Sequence, residues 1–344
     1  MGKRILVTGG AGYIGSHTAV ELQNAGYEVI IVDNLSNSNE NVIDGIERIT
    51  GVRPAFERLD CNDKEGMQAV FTKYPGIEGI IHFAASKAVG ESVQKPLLYY
   101  RNNLVSLLNL LDLMPQFDVK GIVFSSSCTV YGQPDILPVD ESAPIKPALS
   151  PYGNTKQICE EIINDTIHAG APFRAILLRY FNPIGAHPSA EIGELPLGVP
   201  QNLIPYLTQT AMGIRKELSV FGNDYNTPDC SCIRDYINVV DLAKAHVIAM
   251  NRMIERKAAD NVEVFNLGTG RGVSVLELIN SFERATGVAV PHKIVGRREG
   301  DIEQVWANPE RANNVLGWTA VESLDDTLAS AWRWQEKLRE RGIM

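Results

Sequence analysis

Tyr152 and Lys156 are the side chains of this sequence best suited to proton-transfer chemistry. They stand four residues apart in the segment SPYGNTK, where Ser150 is a good helix N-cap and Pro151 suits the first helical position. This spacing places both side chains on one face of a helix. Because a nearby cation favours a phenolate, we expect Lys156 to help lower the pKa of Tyr152 from about 10 toward neutrality. Such a phenolate can take a proton from an alcohol while a hydride leaves.

A run of serines ends the predicted strand GIVFS just before this helix. The run is Ser125, Ser126 and Ser127. Ligands of open α/β sheets bind at the carboxyl ends of the strands. Ser127 is therefore placed to hydrogen-bond the reacting hydroxyl and relay its proton. Either feature alone is more often a strand-end cap or an exposed helix pair, so the argument depends on the order of all the motifs.

A glycine-rich loop follows the first predicted strand. Gly9, Gly12 and Gly15 recur every third residue, between the run ILVT and a helical pattern. This spacing lets the backbone turn tightly and approach a pyrophosphate, which the free N–H groups at the start of the helix can bind. Asp33 follows the second predicted strand, where a carboxylate accepts hydrogen bonds from ribose hydroxyls and repels a 2′-phosphate. The pattern favours NAD over NADP.

Strand-like apolar runs alternate with helical patterns along the first half of the chain. This alternation predicts a doubly wound, Rossmann-type α/β domain, a parallel sheet covered on both faces, over residues 1–180. The Pro- and Gly-rich segment 182–201 then opens a smaller C-terminal substrate-binding α/β domain, 181–344, with elements near 239–268 returning to the first domain. The predicted strands are 4–8, 27–32, 54–59, 79–83, 121–125, 175–179 and 263–267, and the predicted helices are 16–25, 63–73, a long helix ending at 113, 150–168, 241–250, 275–286 and 323–341.

Charge and cysteine content exclude several classes of protein. The chain has 344 residues and a formal net charge of −9, which disfavours binding to nucleic acid or to an anionic membrane. No uncharged apolar run reaches the roughly 18 residues of a membrane span, and the start MGKRILVTGG lacks the apolar stretch of a secretory signal. The five cysteines form no CxxC pair or four-ligand cluster, so we expect free thiols in the cytoplasm and no bound metal.

Longer motifs extend the pattern over almost the whole chain. TGGAGYIGSH, VDNLSNS, HFAASKAVGESVQKP, FSSSCTVYG, SPYGNTK, RYFNPIGAHP, IRDYINVVDLA, NLGTGRGVSV and RREGD resemble the motifs of the UDP-glucose 4-epimerase family, which belongs to the extended short-chain dehydrogenases/reductases. The resemblance implies a tightly held NAD that oxidises C4 of a UDP-hexose. The 4-keto sugar then rotates, and the hydride returns to its other face. The expected result is interconversion of UDP-glucose and UDP-galactose in galactose metabolism, by a homodimer.

The resemblance also assigns roles to individual residues. Tyr152 would be the base, Lys156 would tune it, and Ser127 would assist. The implied cofactor contacts, besides Gly9, Gly12 and Gly15 of the loop and Tyr152 and Lys156, are Tyr13, Ile14, Asp33, Asn34, Asn37, Ser38, Asp60, Cys61, Phe83, Ala84, Ala85, Lys87, Asn102, Ser125 and Tyr180. The implied substrate contacts, besides Ser127, are Phe181, Asn182, Asn202, Leu203, Ser219, Val220, Phe221, Arg234, Tyr236, Arg298, Asp301 and Val305.

Two departures from the family pattern lie close to these positions. Cys128 stands where related epimerases usually have a small residue such as Ala. Cys230 and Ser231 replace the more usual Gly-Thr before the IRDY block, which predicts a different loop backbone beside Arg234.

Two alternatives share the same fold. A nucleotide-sugar 4,6-dehydratase would carry Asp-Glu before the VYG triplet, where this chain has Cys128 and Thr129. A non-catalytic NAD-sensing protein would typically lack the tyrosine or the lysine of the YxxxK pair, and both are present. The sequence therefore favours the epimerase.

Val305 bears on the range of substrates. The resemblance places it beside the 2-substituent of the sugar, where epimerases restricted to glucose and galactose carry Tyr. Because Val is smaller than Tyr, we expect the pocket to admit UDP-N-acetylglucosamine and UDP-N-acetylgalactosamine as well.

Overall fold

The computed structural model describes residues 2–298 and 302–343. The strands are β1 (Arg4–Thr8), β2 (Glu28–Asp33), β3 (Ala55–Arg58), β4 (Ile77–His82), β5 (Gly121–Ser127), β6 (Arg174–Tyr180), β7 (Asn182–Ile184), β8 (Leu218–Phe221), β9 (Ile233–Arg234), β10 (Tyr236–Asn238), β11 (Val262–Leu267), β12 (Val273–Ser274), β13 (His292–Val295) and β14 (Gln304–Val305). The α-helices are α1 (Tyr13–Asn24), α2 (Asn41–Thr50), α3 (Lys64–Lys73), α4 (Val89–Gln94), α5 (Pro96–Leu113), α6 (Pro151–His168), α7 (Leu203–Ala211), α8 (Val239–Ile254), α9 (Val275–Thr286) and α10 (Leu324–Glu340). Short 3-10 helices span Met114–Phe117 and Cys128–Tyr131.

A seven-stranded parallel sheet forms the centre of the molecule. Its strand order is β3-β2-β1-β4-β5-β6-β11, and every neighbouring pair is parallel. The order reverses between β1 and β4, which is where a doubly wound sheet opens a ligand crevice at its carboxyl edge. This arrangement confirms the predicted Rossmann-type fold.

The sheet separates two hydrophobic cores, because alternate residues of each strand point to opposite faces. Ile80 and Phe124 lie in the core shared with α3, α5 and α6. Their neighbours Ile81 and Val123 lie in the core shared with α1, α2 and α8. Burial on both faces explains why the strands read as continuous apolar runs.

A second lobe covers the carboxyl edge of the sheet. It contains the parallel pair β8–β13, the short strands β9, β12 and β14, and helices α7, α9 and α10. A separate core with Leu207, Phe282 and Leu328 at its centre holds this lobe together. The chain returns to the first lobe through α8 and β11, which pairs with β6.

Some elements differ from the sequence-based prediction. Helix α1 begins at Tyr13, three residues before the predicted start at Ser16, because the glycine turn ends at Gly12. Helices α2 and α7 lie in stretches where no helix was predicted. No helix within residues 2–298 and 302–343 is both long and apolar enough to cross a membrane.

Candidate active site

The glycine loop leaves no room for side chains at its turns. Gly9 has a positive φ of 68°, and a Cβ there would lie 2.7 Å from the backbone nitrogen of Ala84. A Cβ on Gly15 would collide with the carbonyl oxygen of Gly9, so only glycine lets α1 pack on this turn. The start of α1 has no side-chain cap at Gly12. This open, side-chain-free helix start fits a pyrophosphate bound by backbone N–H groups.

Asp33 lies beside the glycine loop at the carboxyl end of β2. Its carboxylate is buried and accepts hydrogen bonds from the Ala11 N–H (3.1 Å), the Leu35 N–H (2.9 Å) and the Ser38 hydroxyl (2.8 Å). These bonds fix its orientation. A carboxylate held next to the turn is the chemistry that a ribose diol requires.

Polar side chains continue this crevice past the end of β3. The Asn34 amide donates to Asp60 (3.1 Å), and the Asn62 amide bridges Asp60 and Asn102 at 2.9 and 2.8 Å. Cys61 is buried beneath them, and burial raises the pKa of its thiol to about 12. The wall is thus polar, with an unreactive thiol. Of the other predicted cofactor residues in this half, Asn37 is exposed and Ile14 is partly buried against the core.

The ends of β4, β5 and β6 bring further predicted cofactor residues to the same edge. The ring of Phe83 packs against that of His246 at 4.8 Å between centroids, and the Tyr180 ring meets His246 from the other side at 5.8 Å. The Tyr180 hydroxyl is hydrogen-bonded to Ser125. Burial raises the pKa of Tyr180, so it remains a neutral phenol. Ala84 and Ala85 follow Phe83 in the partly buried turn after β4.

Tyr152, Lys156 and Ser127 meet where α6 passes the end of β5. Ser150 caps α6 by accepting a hydrogen bond from the Gly153 N–H at 3.1 Å, as the sequence predicts. The Ser127 hydroxyl lies close enough to Tyr152 to lower the pKa of its phenol. The Lys156 ammonium donates to the carbonyl of Ser125 at 2.6 Å and lies 5.9 Å from the centre of the Tyr152 ring. The three side chains thus form one connected group.

The electrostatics of this group differ from the expectation of a phenolate near neutrality. Burial raises the pKa of Tyr152 to about 12, and the nearby Ser127 hydroxyl only partly opposes this rise. Burial also lowers the pKa of Lys156 to about 8, against the attraction of Cys159 and Glu160. Desolvation disfavours both charged forms and is the largest influence on each pKa. With the protein's own groups alone, Lys156 is charged and Tyr152 is protonated at neutral pH.

Predicted substrate residues form a wall opposite Ser127. Phe181 and Val305 are buried in one apolar cluster with Cys128, which directly follows Ser127 in the chain. The Arg234 guanidinium is close enough to lower the pKa of the Cys128 thiol, although burial raises that pKa to about 12 overall. Val305 therefore lies in the same apolar cluster as the residue that adjoins Ser127. Asn182 and Tyr236 pair across β7 and β10 at the edge of this wall.

Glu194 connects residues of the two lobes and was missed by the sequence analysis. Its carboxylate accepts a hydrogen bond from the Asn202 amide at 2.5 Å and lies 3.5 Å from the Lys87 ammonium. Burial raises the pKa of Tyr13 and Glu194 adds to this rise, while the Tyr13 hydroxyl donates to the Gly185 carbonyl at 2.7 Å. Glu194 lies in the aperiodic segment 182–201, so no sequence signal identifies it. Leu203 follows Asn202 as the first residue of α7.

The outermost predicted substrate residues lie on and beside β8. Ser219, Val220 and Phe221 occupy this strand, and Val220 is buried while Phe221 is 39% exposed. The Arg298 guanidinium lies over the Phe221 ring at 5.5 Å. This stacked cation at an open edge suits a phosphate-bearing ligand. Asp301 lies outside the described residues.

The loop before Arg234 has an unusual backbone conformation at Cys230. Its φ is +64°, in the left-handed region that favours glycine. Relatives with glycine at this position would adopt the same turn without strain. The turn is held by a hydrogen bond from Thr227 to the Ser231 carbonyl at 2.7 Å. The side chain at position 230 thus lies on a turn that glycine would adopt freely.

The carboxyl pair that a dehydratase requires is absent from its expected place. Cys128 keeps its proton, because its pKa is about 12, and Thr129 carries no acid. Asp235 lies close to Cys128, but its carboxylate accepts hydrogen bonds from the backbone of Thr269 (2.9 Å) and Ala307 (3.2 Å). It serves the fold. No cluster of potential metal ligands occurs among residues 2–298 and 302–343.

Comparisons with known proteins agree with this geometry. A family model described as GDP-mannose 4,6 dehydratase matches residues 6–331. The UDP-glucose 4-epimerase of Homo sapiens is 48% identical over 343 residues, 98% of this chain and 97% of the relative. That of Bacillus subtilis (strain 168) is 50% identical over 331 residues, 96% of each chain. The crystal structure of UDP-glucose 4-epimerase from Bifidobacterium longum, in complex with NAD+ and UDP, superposes with a TM-score of 0.93 at 47% identity, covering 97% of this chain and 98% of that one.

The dehydratase model therefore marks a broad family, and the near-full-length relatives mark one branch of it. Within the extended short-chain dehydrogenases/reductases, the chain belongs to the UDP-glucose 4-epimerase family.

Proposed function

We propose that the protein interconverts UDP-glucose and UDP-galactose by oxidation and reduction at C4, with NAD as resident cofactor. The observation that carries this proposal is the connected group of Tyr152, Ser127 and Lys156 at the carboxyl edge of the sheet. The glycine turn and Asp33 lie at the same edge. The relative from Bifidobacterium longum binds NAD+ and UDP in the same fold.

Residues of the first lobe would hold the cofactor. The backbone of the turn from Gly9 to Gly15 would bind the pyrophosphate, and Asp33 would bind the adenosine ribose. Lys156 and Tyr152 would face the second ribose and the nicotinamide. Bound NAD supplies a hydride acceptor at C4 of the sugar, and in its oxidised form it adds positive charge beside Tyr152.

Tyr152 and Ser127 would move the proton. The Ser127 hydroxyl lies beside Tyr152 and lowers the pKa of its phenol, so it can pass the proton of the sugar 4-hydroxyl to the phenolate oxygen. Lys156 stabilises that phenolate from the side and is itself fixed by the Ser125 carbonyl. When the sugar is reduced again, Tyr152 returns the proton to the oxygen at C4.

Residues of the second lobe would hold the UDP-sugar. Arg234 and Arg298 are the cations that an acidic protein needs to bind a diphosphate. The small Val305 in the wall beside Cys128 leaves room for an N-acetyl group, so we extend the proposal to UDP-N-acetylglucosamine and UDP-N-acetylgalactosamine.

We also propose that the protein is a cytoplasmic homodimer. Helix α5 exposes Leu97 (75%), Leu98 (49%) and Leu108 (44%) along one face, and Leu149 just before α6 is 51% exposed. Such a stripe is typical of a helix packed against a second subunit. All five cysteines are free, as in a reducing compartment.

A dimer test follows from this face. Light scattering should give the mass of two chains for the wild type and of one chain for Leu97→Glu/Leu108→Glu. The matched control is Val321→Glu, which is 71% exposed and lies away from α5. A wild type with the mass of one chain at micromolar concentration would refute the dimer.

The direct test of function is incubation of purified protein with UDP-galactose and no added NAD. We expect UDP-glucose to form, and NAD(H) to appear in the supernatant of denatured protein. Formation of a 4-keto-6-deoxy sugar would indicate the dehydratase instead. Activity only with added NADP would contradict the role of Asp33.

A further inference from the structure

A buried ion pair lies directly behind the catalytic group. Arg179 donates two parallel hydrogen bonds to Glu160, at 2.9 and 2.5 Å, and both side chains are only 8% exposed. The hydroxyl of Ser126 also donates to the Glu160 carboxylate. The roles proposed above involve none of these three side chains.

The pair joins the two elements that carry the catalytic side chains. Glu160 lies one helical turn after Lys156 on α6. Ser126 lies on β5 between Ser125, whose carbonyl accepts from Lys156, and Ser127. One carboxylate therefore fastens α6 to the end of β5 at the residues whose alignment determines the Tyr152–Ser127 distance.

The arginine extends this attachment to the turn after Ser127. Its guanidinium also donates to the Tyr131 hydroxyl at 3.0 Å. Tyr131 in turn donates to the side chain of Asn266 on β11 at 2.7 Å. The backbone on both sides of Ser127 is thus held by hydrogen bonds that lead back to Glu160 and Arg179.

Stability alone does not account for such a pair. Buried ion pairs lose about as much in desolvation as they gain in attraction, and apolar replacements are often as stable. Catalysis, by contrast, requires side chains held to a fraction of an ångström by their supporting residues. We propose, resting on the function proposed above, that Glu160 is a positioning residue, which together with Arg179 holds Ser127 against Tyr152 and faces Lys156 with a negative charge.

The charges around Lys156 give this proposal a distinctive pH signature. Glu160 and Cys159 face it from α6 and His82 from β4. At neutral pH the Cys159 thiol, with a pKa of about 12, and His82, with a pKa of about 3, are both uncharged because of burial. Glu160 thus favours the ammonium, and its removal leaves Arg179 as an opposing cation. Loss of the Glu160 carboxylate should therefore lower the pKa of Lys156.

The test compares Glu160→Gln with a matched control, Glu263→Gln. Glu263 is equally buried and accepts two hydrogen bonds from Arg252 at 2.7 and 2.8 Å, but it joins α8 to β11 away from Lys156. For Glu160→Gln we expect kcat to fall about 10- to 100-fold, with KM for UDP-galactose nearly unchanged. The alkaline limb of the kcat–pH profile should move down by about one unit. Glu263→Gln should lower the free energy of unfolding but leave both kcat and the alkaline limb of the kcat–pH profile unchanged.

A double variant covers the case in which Glu160→Gln does not fold. Glu160→Leu/Arg179→Met removes both charges and keeps an apolar contact, so it should fold about as stably as the wild type. It should still lose kcat. A double variant with wild-type kcat and an unmoved alkaline limb would show that the pair is merely structural.

A second readout separates this proposal from the proposed function. Near-ultraviolet titration, taken as the difference from Tyr152→Phe, follows the Tyr152 phenolate without any turnover. Because Ser127 lowers the pKa of Tyr152, displacement of Ser127 in Glu160→Gln should raise that pKa, whereas Glu263→Gln should leave it unchanged. An unmoved titration in Glu160→Gln would overturn the positioning role, even in a protein without epimerase activity. A wild type that folds but forms no UDP-glucose would overturn only the function.

Discussion

Tyr152 is held in surroundings that oppose its own ionisation. Its pKa of about 12 and the pKa of about 8 for Lys156 both reflect the loss of water around buried charge. The cost of forming a phenolate is therefore met by positive charge placed beside it, of which Lys156 is the chain's own contribution. A site of this kind keeps the base protonated until substrate and cofactor are assembled.

Replacing Tyr152 by phenylalanine tests the base directly. Tyr152→Phe removes the hydroxyl and keeps the ring, so kcat for UDP-galactose should fall about 10²- to 10⁴-fold, the usual contribution of a positioned base. UDP binding measured by calorimetry should change little. A variant that keeps more than about a tenth of the wild-type rate would exclude this role.

At the scale of single residues, the range of substrates depends on Val305. Val305 is 2% exposed and packs with Cys128 and Phe181, so the ring of a tyrosine there would need space that these neighbours and a bound sugar now share. Val305→Tyr should abolish turnover of UDP-N-acetylglucosamine and leave turnover of UDP-galactose within a few-fold. Wild-type protein that fails to turn over the N-acetyl substrate at high enzyme concentration would show that another side chain closes the pocket.

At the scale of elements, short loops aim the substrate-binding residues. The loop before β9 turns at Cys230 with φ +64° and leads directly to Arg234. A non-glycine residue in this region is strained by about 1 kcal/mol or more. The chain therefore stores strain beside a residue proposed to bind phosphate.

Glycine at position 230 should relieve this strain. Cys230→Gly should raise the free energy of unfolding by about 0.5–1 kcal/mol, measured by urea denaturation at a fixed NAD concentration. Cys230→Ala is the matched control, because it removes the thiol but keeps the Cβ, and its stability should stay close to wild type. Equal stability of the Gly and Ala variants would contradict the strain.

At the scale of the whole molecule, several histidines are buried without charge. His17, His82 and His246 are each at most 2% exposed, and burial lowers their pKa values to about 3, 3 and 4. In the unfolded chain each titrates near 6.5. Below that pH the unfolded state binds protons that the folded state cannot, so acid favours unfolding.

The folded state should therefore lose stability steeply between pH 6.5 and pH 4. Each histidine contributes a slope of up to about 1.4 kcal/mol per pH unit, and the three together about 4. Stability from these groups is fully present above pH 6.5 and is lost as the pH falls toward their folded values. Urea midpoints at pH 7.5, 6 and 5 measure the slope, and His246→Phe should reduce it by about a third. Stability that stays constant from pH 6.5 to pH 5 would show that these side chains are hydrated.

Local features of this protein could be predicted from the sequence because local physics determines them. The apolar runs of β1, β4 and β5 reflect burial on both faces of a sheet, and the cap at Ser150 depends on its own helix. Helix α2 was missed although Ile43 and Ile46 lie one turn apart in it, because it has an internal Gly45 and no side-chain N-cap, whereas α3, of equal length, is capped by Asp63.

Contacts between distant segments depend on how the elements pack. Glu194 meets Lys87 at a sequence separation of 107 residues, and Glu160 on α6 meets Arg179 on β6. The same carboxylates would be ordinary surface groups on an isolated loop or helix, and their burial exists only once the sheet order and the two lobes are formed. The same burial raises the pKa of Tyr152 and lowers that of Lys156, since desolvation is a property of the assembled surroundings and not of the spacing between two residues.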